Sequence, residues 1–293
     1  MIVLSEASPR LEPTPSSREL RAATEAAKLA GCAVYYIPQD FDGIDDPADA
    51  FAHIPEQSSE SVGVWNGYIP SAEHYATVYH CALNQGIRLL NDPAEHLRAQ
   101  EFDRAYERIG DLTPLSVIVT DPGQCDDAVD IVGLPVFVKG IVQSRKARGW
   151  KACVADDLDD LRRLVSQYLS LEGRTRGRVA LRKLVRLRHV NVTGLDFPIG
   201  REFRVFLYDA MPIGHGYYWD GDDPLMALTT GEESAVLGLA SEAARRLAVP
   251  FVAIDIGQLE TGEWIVIESG DAQFSSVSRI PLLPLWRRIA RIG

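Results

Sequence analysis

FVAIDIGQLETGEWIVIESGD, residues 251–271, decides the fold. On both sides of Glu260-Thr261-Gly262 apolar residues alternate with others, the period-two pattern of paired strands, and the short glycine-containing turn suits a hairpin. A hairpin centred on that turn sets Asp255, inside the first strand, opposite Glu268 at the end of the second, to within one residue. Like charges side by side in an apolar hairpin destabilise it unless a cation lies between them. Magnesium is the simplest such cation, because it takes carboxylate and phosphate oxygens into its octahedron. Asp271, expected in the loop after the second strand, would add a third carboxylate. The structural alternative is that Asp255 caps a bulge and Glu268 meets solvent at a strand end.

Outward from the hairpin, residues 232–247 form an amphipathic helix, and REFRVFLYDAMPIGHGYYW (201–219) reads as two strands around a turn. RVALRKLVRL (178–187) is a further strand, so the second half is α+β with mainly antiparallel pairing. Before it, LSVIVT (115–120), a helix at 125–132, VFVKG (136–140), a basic glycine-bounded loop GIVQSRKARG (140–149), a returning strand WKACV (150–154) and a helix at 156–169 make a small lid-like unit. In the first part, helices at 17–31, 71–84 and 93–109 alternate with strands in CAVYYIP (32–38), VGVWNGYIP (62–70) and GIRLLND (86–92), which favours an α/β layer with a partly parallel sheet. Three regions are expected: an N-terminal α/β domain at 1–113, the small unit at 114–180, and a C-terminal unit carrying the hairpin at 181–293.

Composition narrows the function. The 41 acidic residues outnumber the 30 basic ones, a formal charge of −11 that repels a polyanion, so nucleic acid is not an expected partner. One basic island, with seven Lys and Arg between Arg174 and Arg188, suits a compact anion better than a duplex. Cys32, Cys81, Cys125 and Cys153 have neither C-x-x-C nor metal-ligand spacing and read as reduced, core-filling thiols. With no apolar run of about 18 residues and no signal-peptide pattern, a membrane is not expected and a cytoplasmic location is. A homodimer stays open.

The residues that carry the hairpin resemble the last hairpin of the ATP-grasp superfamily, I-D-x(12)-E-x-N, here IDIGQLETGEWIVIESGD. VFVKG looks like that family's phosphate-lysine strand, ALRKLV (180–185) like the strand linking the halves of its nucleotide cleft, and EFRVF (202–206) like its E-x-R-V strand. The four blocks stand in the family's order. Arg182, Arg204 and Lys139, with the ending ESGDAQFS (268–275), resemble the branch named for two arginines and a lysine; Gly270 departs from it, standing where an Asn is usual.

The resemblance implies an ATP-grasp fold and a carboxylate–amine ligase using ATP and Mg2+. Its substrates would be a small-molecule or peptide carboxylate and an amine, joined through an acyl phosphate with release of ADP and phosphate. Lys139 would meet the α- and β-phosphates and Lys146 would close over the triphosphate, and the main chain of Lys183, Leu184 and Val185 would read adenine. Arg182 would meet phosphate or the acyl-phosphate transition state; its rival role is a salt bridge to Glu202. Glu202 would take the ribose hydroxyls or support a metal, or is a plain edge-strand charge; Arg204 would meet the γ-phosphate or substrate carboxylate. Asp255, Glu268 and Asp271 would hold the metal. Tyr217, Tyr218 and Trp219 read as packing or wall residues. Other readings are a kinase on the same scaffold and a nucleotide-binding regulator without turnover.

Overall fold

The computed structural model describes residues 1–7 and 12–292. It contains three four-stranded sheets. The first is built from β1 (Ile2–Ser5), α1 (Pro15–Leu29), β2 (Ala33–Tyr36), β3 (Ser61–Asn66), α2 (Ala72–Asn84) and β4 (Ile87–Leu89). Its order is β2-β1-β3-β4 and every pair is parallel. Parallel neighbours need crossovers, which α1 and α2 supply. Thr14 and Ser17 cap the start of α1 reciprocally, with Pro15 in the first turn, where its missing N–H costs no hydrogen bond. The four-residue apolar start, too short to show a period, is the central strand β1, with Val3 and Leu4 fully buried.

Two helices, α3 (Pro93–Gln100) and α4 (Phe102–Ile109), replace the single helix expected at 93–109. The break is Glu101, whose backbone is extended while the amide of Phe102 donates to Ile141 O at 2.8 Å. Its carboxylate accepts from Arg104 at 2.6 Å, Arg176 at 2.6 Å and Arg178 at 2.9 Å. Burial alone would raise the Glu101 pKa, but the three guanidiniums bring it below the usual value. Two of the basic island's seven charges, Arg176 and Arg178, are thus committed to this joint.

The second sheet combines β5 (Ser116–Val119), α5 (Cys125–Val132), β6 (Val136–Gly140), β7 (Val154–Ala155), α6 (Leu158–Leu169), α7 (Glu172–Thr175) and β8 (Val179–Lys183), in the order β5-β8-β6-β7. WKACV is not a strand throughout: residues 150–152 are a 3-10 turn and only Val154 of that stretch enters β7.

The third sheet joins β9 (Glu202–Tyr208), β10 (Met211–Tyr217), α8 (Thr230–Leu247), β11 (Phe251–Gln258) and β12 (Trp264–Asp271) in the antiparallel order β10-β9-β11-β12, and α9 (Leu282–Ile289) follows. Alternation divides its faces. Val205, Leu207, Val252, Ile254 and Ile256 pack with α8 and with Ala99, Ala105 and Ile109 of α3 and α4. Phe206, Phe251 and Ala253 pack on the other face with α1, α9 and the first sheet. No helix among the described residues is long and apolar enough to cross a membrane.

Candidate active site

The polar part of that second face is one row across three strands: Arg204 pairs with Asp255, and Asp255 with Glu268. A β-bulge sets this row. Ile256 pairs with Val266 but Asp255 pairs with Glu268, leaving Ile267 as the extra residue. Without it Glu268 would share the face of Val266 and point into the α8 core; the inserted residue resets the alternation and turns the carboxylate into the cleft. The bulge foreseen as the bland reading of Asp255 is therefore present, but Asp255 does not cap it. Its Oδ1 and Oδ2 accept from Nε and Nη2 of Arg204, each at 2.7 Å.

Glu268 accepts from Lys139 Nζ at 2.5 Å, and the lysine side chain is 2% exposed. Burial pushes the Lys139 ammonium down and Glu268 partly restores it. Burial would raise Glu268, yet Lys139, Lys146 and Arg182 bring it below the ordinary carboxylate value.

Glu202 is buried and accepts from Lys146 Nζ at 3.3 Å and from Trp219 Nε1 at 3.2 Å. Burial raises its pKa, and Lys146 opposes that only in part. Arg182 does not form the salt bridge to Glu202 that was weighed for it. Its Nη1 donates to the bulge carbonyl of Ile267 at 3.0 Å and its Nη2 to Thr113 Oγ1 at 2.7 Å, while its Nε is buried without a partner. Burial lowers its pKa to about 10 despite the pull of Glu268. Glu202, Asp255 and Glu268 thus stand among Lys139, Lys146, Arg182 and Arg204, one more cation than carboxylate. A site with that surplus attracts an oligophosphate.

Asp271 is not part of this row. β12 continues through it instead of ending in a loop, so Asp271, three residues from Glu268, lies on the opposite face. There it is fully buried, and it accepts from Asn91 Nδ2 at 2.9 Å and pairs with His96 Nδ1 at 2.9 Å. Gly270 does face the cleft, where a Cβ would lie 3.1 Å from Ser275 Oγ. Ser275 thus fills the space that a side chain at position 270 would need.

No group of three or more metal-ligating side chains forms among the described residues. The adjacent carboxylates of Asp255 and Glu268 would instead offer two ligands. That is the donor chemistry magnesium uses when phosphate and water complete its shell, and the residues fit the ion.

Two clefts meet here. One, of about 410 Å3, is lined by Lys139, Lys146, Arg182, Lys183, Leu184, Val185 and Glu202, while Arg204, also expected at the γ-phosphate, lines the other. The walls of the first include Phe137 and Ile267, apolar surface suited to a base. The other, of about 450 Å3, runs from Arg204 and Asp255 to Trp65, Asn66, Gly67 and Tyr68 at the C-terminal end of β3. Glu268 and Ser144 line both clefts. His215 is turned elsewhere, toward Glu233 at 3.2 Å, and Tyr217 packs on Phe203.

Sequence reading missed the β3 end and its support. Glu6, 3% exposed, accepts from Trp65 Nε1 at 3.0 Å and from the Tyr68 amide at 2.9 Å, bracing the loop that walls the second cleft. Burial pushes its carboxyl up to about 7 over these two donors, with Asp40 adding to the rise. A carboxyl raised in the folded state gives stability that is complete below its unfolded value and is lost as pH rises through about 7. Between pH 4.5 and 7 the protein is therefore expected to lose up to about 3 kcal/mol through Glu6. Urea unfolding at pH 5 and pH 8 checks this: Glu6→Gln should flatten that part of the profile.

A sequence model for an ATP-grasp domain, family 3 of the clade named for two arginines and a lysine, matches residues 128–289, more than half of the chain. No curated protein matches it. Among solved structures, a RimK domain protein ATP-grasp from Sphaerobacter thermophilus is 14% identical with a TM-score of 0.59, covering 100% of this chain and 99% of that one. D-alanyl-alanine synthetase A from Vibrio cholerae is 14% identical with a TM-score of 0.62, covering 100% and 93%. The ATP-grasp ligase PsnB, complexed with a minimal precursor, is 15% identical with a TM-score of 0.58, covering 99% and 98%. At these identities the structures share the fold, and the matched sequence model gives the family: the chain belongs to the ATP-grasp proteins, in the clade named for two arginines and a lysine.

Proposed function

We propose that the protein is an ATP-dependent carboxylate–amine ligase. The observation that carries the reading is the junction of two clefts at Glu268, one apolar and lysine-lined, the other open to the β3 end. A nucleotide in the first and an acceptor in the second would present γ-phosphate and carboxylate to one another beside Arg204, Asp255 and Glu268. The ligase named among the similar structures supports the direction of this reading.

In the proposed reaction a substrate carboxylate oxygen attacks the γ-phosphorus and ADP leaves. An amine then attacks the acyl carbon, phosphate leaves, and the amine's proton passes to a carboxylate or to phosphate. Asp255 and Glu268 would hold magnesium, which when bound neutralises phosphate charge. Lys139 would meet the α- and β-phosphates as a compact charge, and Arg182 and Arg204 would stabilise the transferring phosphoryl group. Asp255 holds Arg204 through two hydrogen bonds, which fixes the guanidinium beside the carboxylate and leaves further lone pairs and N–H groups for ligand.

Incubation with ATP, magnesium, pooled amino acids and peptides, and hydroxylamine tests the proposal. ADP should appear only with a carboxylate, together with a hydroxamate, and Glu268→Gln should give neither. ADP with a stable phosphorylated hydroxyl would replace the ligase by a kinase. Nucleotide binding without ADP across the whole panel would replace it by a regulator.

A further inference from the structure

We propose that Phe197, Tyr218 and Trp219 form an aromatic cage that positions the Lys146 ammonium in the nucleotide cleft. The three rings are thus positioning residues for nucleotide binding. The proposal rests on Lys146 serving the nucleotide and is independent of the ligase chemistry.

Lys146 lies in the loop after β6, where a long flexible side chain would ordinarily remain mobile in solvent at a substantial entropic advantage. Its side chain is only 18% exposed. Nζ stands 5.9 Å from the ring centroid of Phe197, 5.3 Å from that of Tyr218 and 5.5 Å from that of Trp219, all within cation–π range. The rings come from two other segments, the loop before β9 and the chain just after β10, and they brace one another. Tyr218 and Trp219 meet edge to face at 5.2 Å, and Phe197 and Trp219 lie 6.2 Å apart.

Glu202 closes the cage. It takes Lys146 on Oε2 and the Trp219 indole on Oε1, so one carboxylate fixes both the ammonium and a wall. Burial works against the Lys146 charge, yet Glu202 holds its pKa above the usual lysine value. Tyr218 also faces a second cation. The Arg204 guanidinium carbon is 4.8 Å from its ring centroid, so the ring serves both Lys146 and Arg204. A saturated side chain at these positions would fill space without attracting an ammonium.

The test is calorimetric binding of AMP-PNP with magnesium to the full chain, without acceptor. Phe197→Leu and Trp219→Leu should each weaken binding about tenfold in the parent. In a Lys146→Ala background neither should weaken it more than about twofold, because the rings act through the lysine. Trp219→Phe should restore most of the affinity. Unchanged affinity in the parent, or an equal loss in the Lys146→Ala background, overturns the cage, as does a parent that binds no nucleotide. Should one leucine variant fail to fold by circular dichroism, the other decides by the same criteria. Nucleotide binding without any product leaves the cage standing and removes only the ligase.

Discussion

Glu268→Gln is expected to reduce ATP-dependent turnover by about 10³-fold and to destabilise the fold by about 3 kcal/mol. Two separate losses produce this. If Glu268 holds the metal as proposed, a neutral amide would hold it less well, leaving phosphate charge less compensated at the transition state. It also leaves the buried Lys139 ammonium, 2% exposed, without its 2.5 Å partner and beside the buried Arg182. Removing one member of a buried pair is costly chiefly because the other remains charged and desolvated. ADP release and urea unfolding, measured on the same preparation, separate the two effects. Adding Lys139→Met should recover most of the stability and none of the turnover, since an apolar side chain removes the stranded charge but binds no phosphate. Recovery of turnover in the double variant would show that Glu268 acts only as the lysine's counter-ion.

That row of charges was largely legible before the fold was known, because hairpin register follows from local facts. The turn at Glu260-Thr261-Gly262 and the period-two alternation bring Asp255 opposite Glu268, and the one-residue offset left by symmetric pairing is the bulged Ile267. The family blocks then placed Lys139, Arg182 and Glu202, and all three line the same cleft. What escaped was information that no local pattern holds. Phe197 sits in an irregular loop between Val192 and Glu202, and only the approach of that loop to Lys146 gives the ring a role. Glu6 and Trp65 are 59 residues apart and meet because β1 and β3 are parallel neighbours. The break at Glu101 depends on Arg176 and Arg178 arriving from the second sheet. The basic island divides for the same reason: Arg176 and Arg178 meet the Glu101 carboxylate, whereas Arg182, Lys183 and Arg186 line the lysine-lined cleft.

Asp271→Ala should destabilise the fold by about 3–5 kcal/mol and leave the magnesium requirement of nucleotide binding unchanged. The strand end was the one part of the hairpin that sequence placed wrongly, since nothing local distinguishes a strand stopping at Ser269 from one running through Asp271. One more pair of β12 residues puts the carboxylate against α3, fully buried, with Asn91 Nδ2 on Oδ1 and His96 Nδ1 on Oδ2. The Gln273 amide also donates to Oδ1, at 3.0 Å, and Asn91 in turn donates to Phe251 O at 2.7 Å. Alanine would strand these groups away from water, each at a desolvation cost, and would loosen the joint between the first and third sheets. Thermal unfolding reads the loss. Magnesium titration of AMP-PNP binding, carried out well below the variant's melting temperature, reads the metal site. Asp255→Asn is the contrasting substitution: it should weaken the magnesium-dependent part of binding, because its carboxylate faces the cleft. If Asp271→Ala instead folds like the parent and raises the magnesium requirement, Asp271 reaches the metal after all, and the placement of β12 against α3 is wrong.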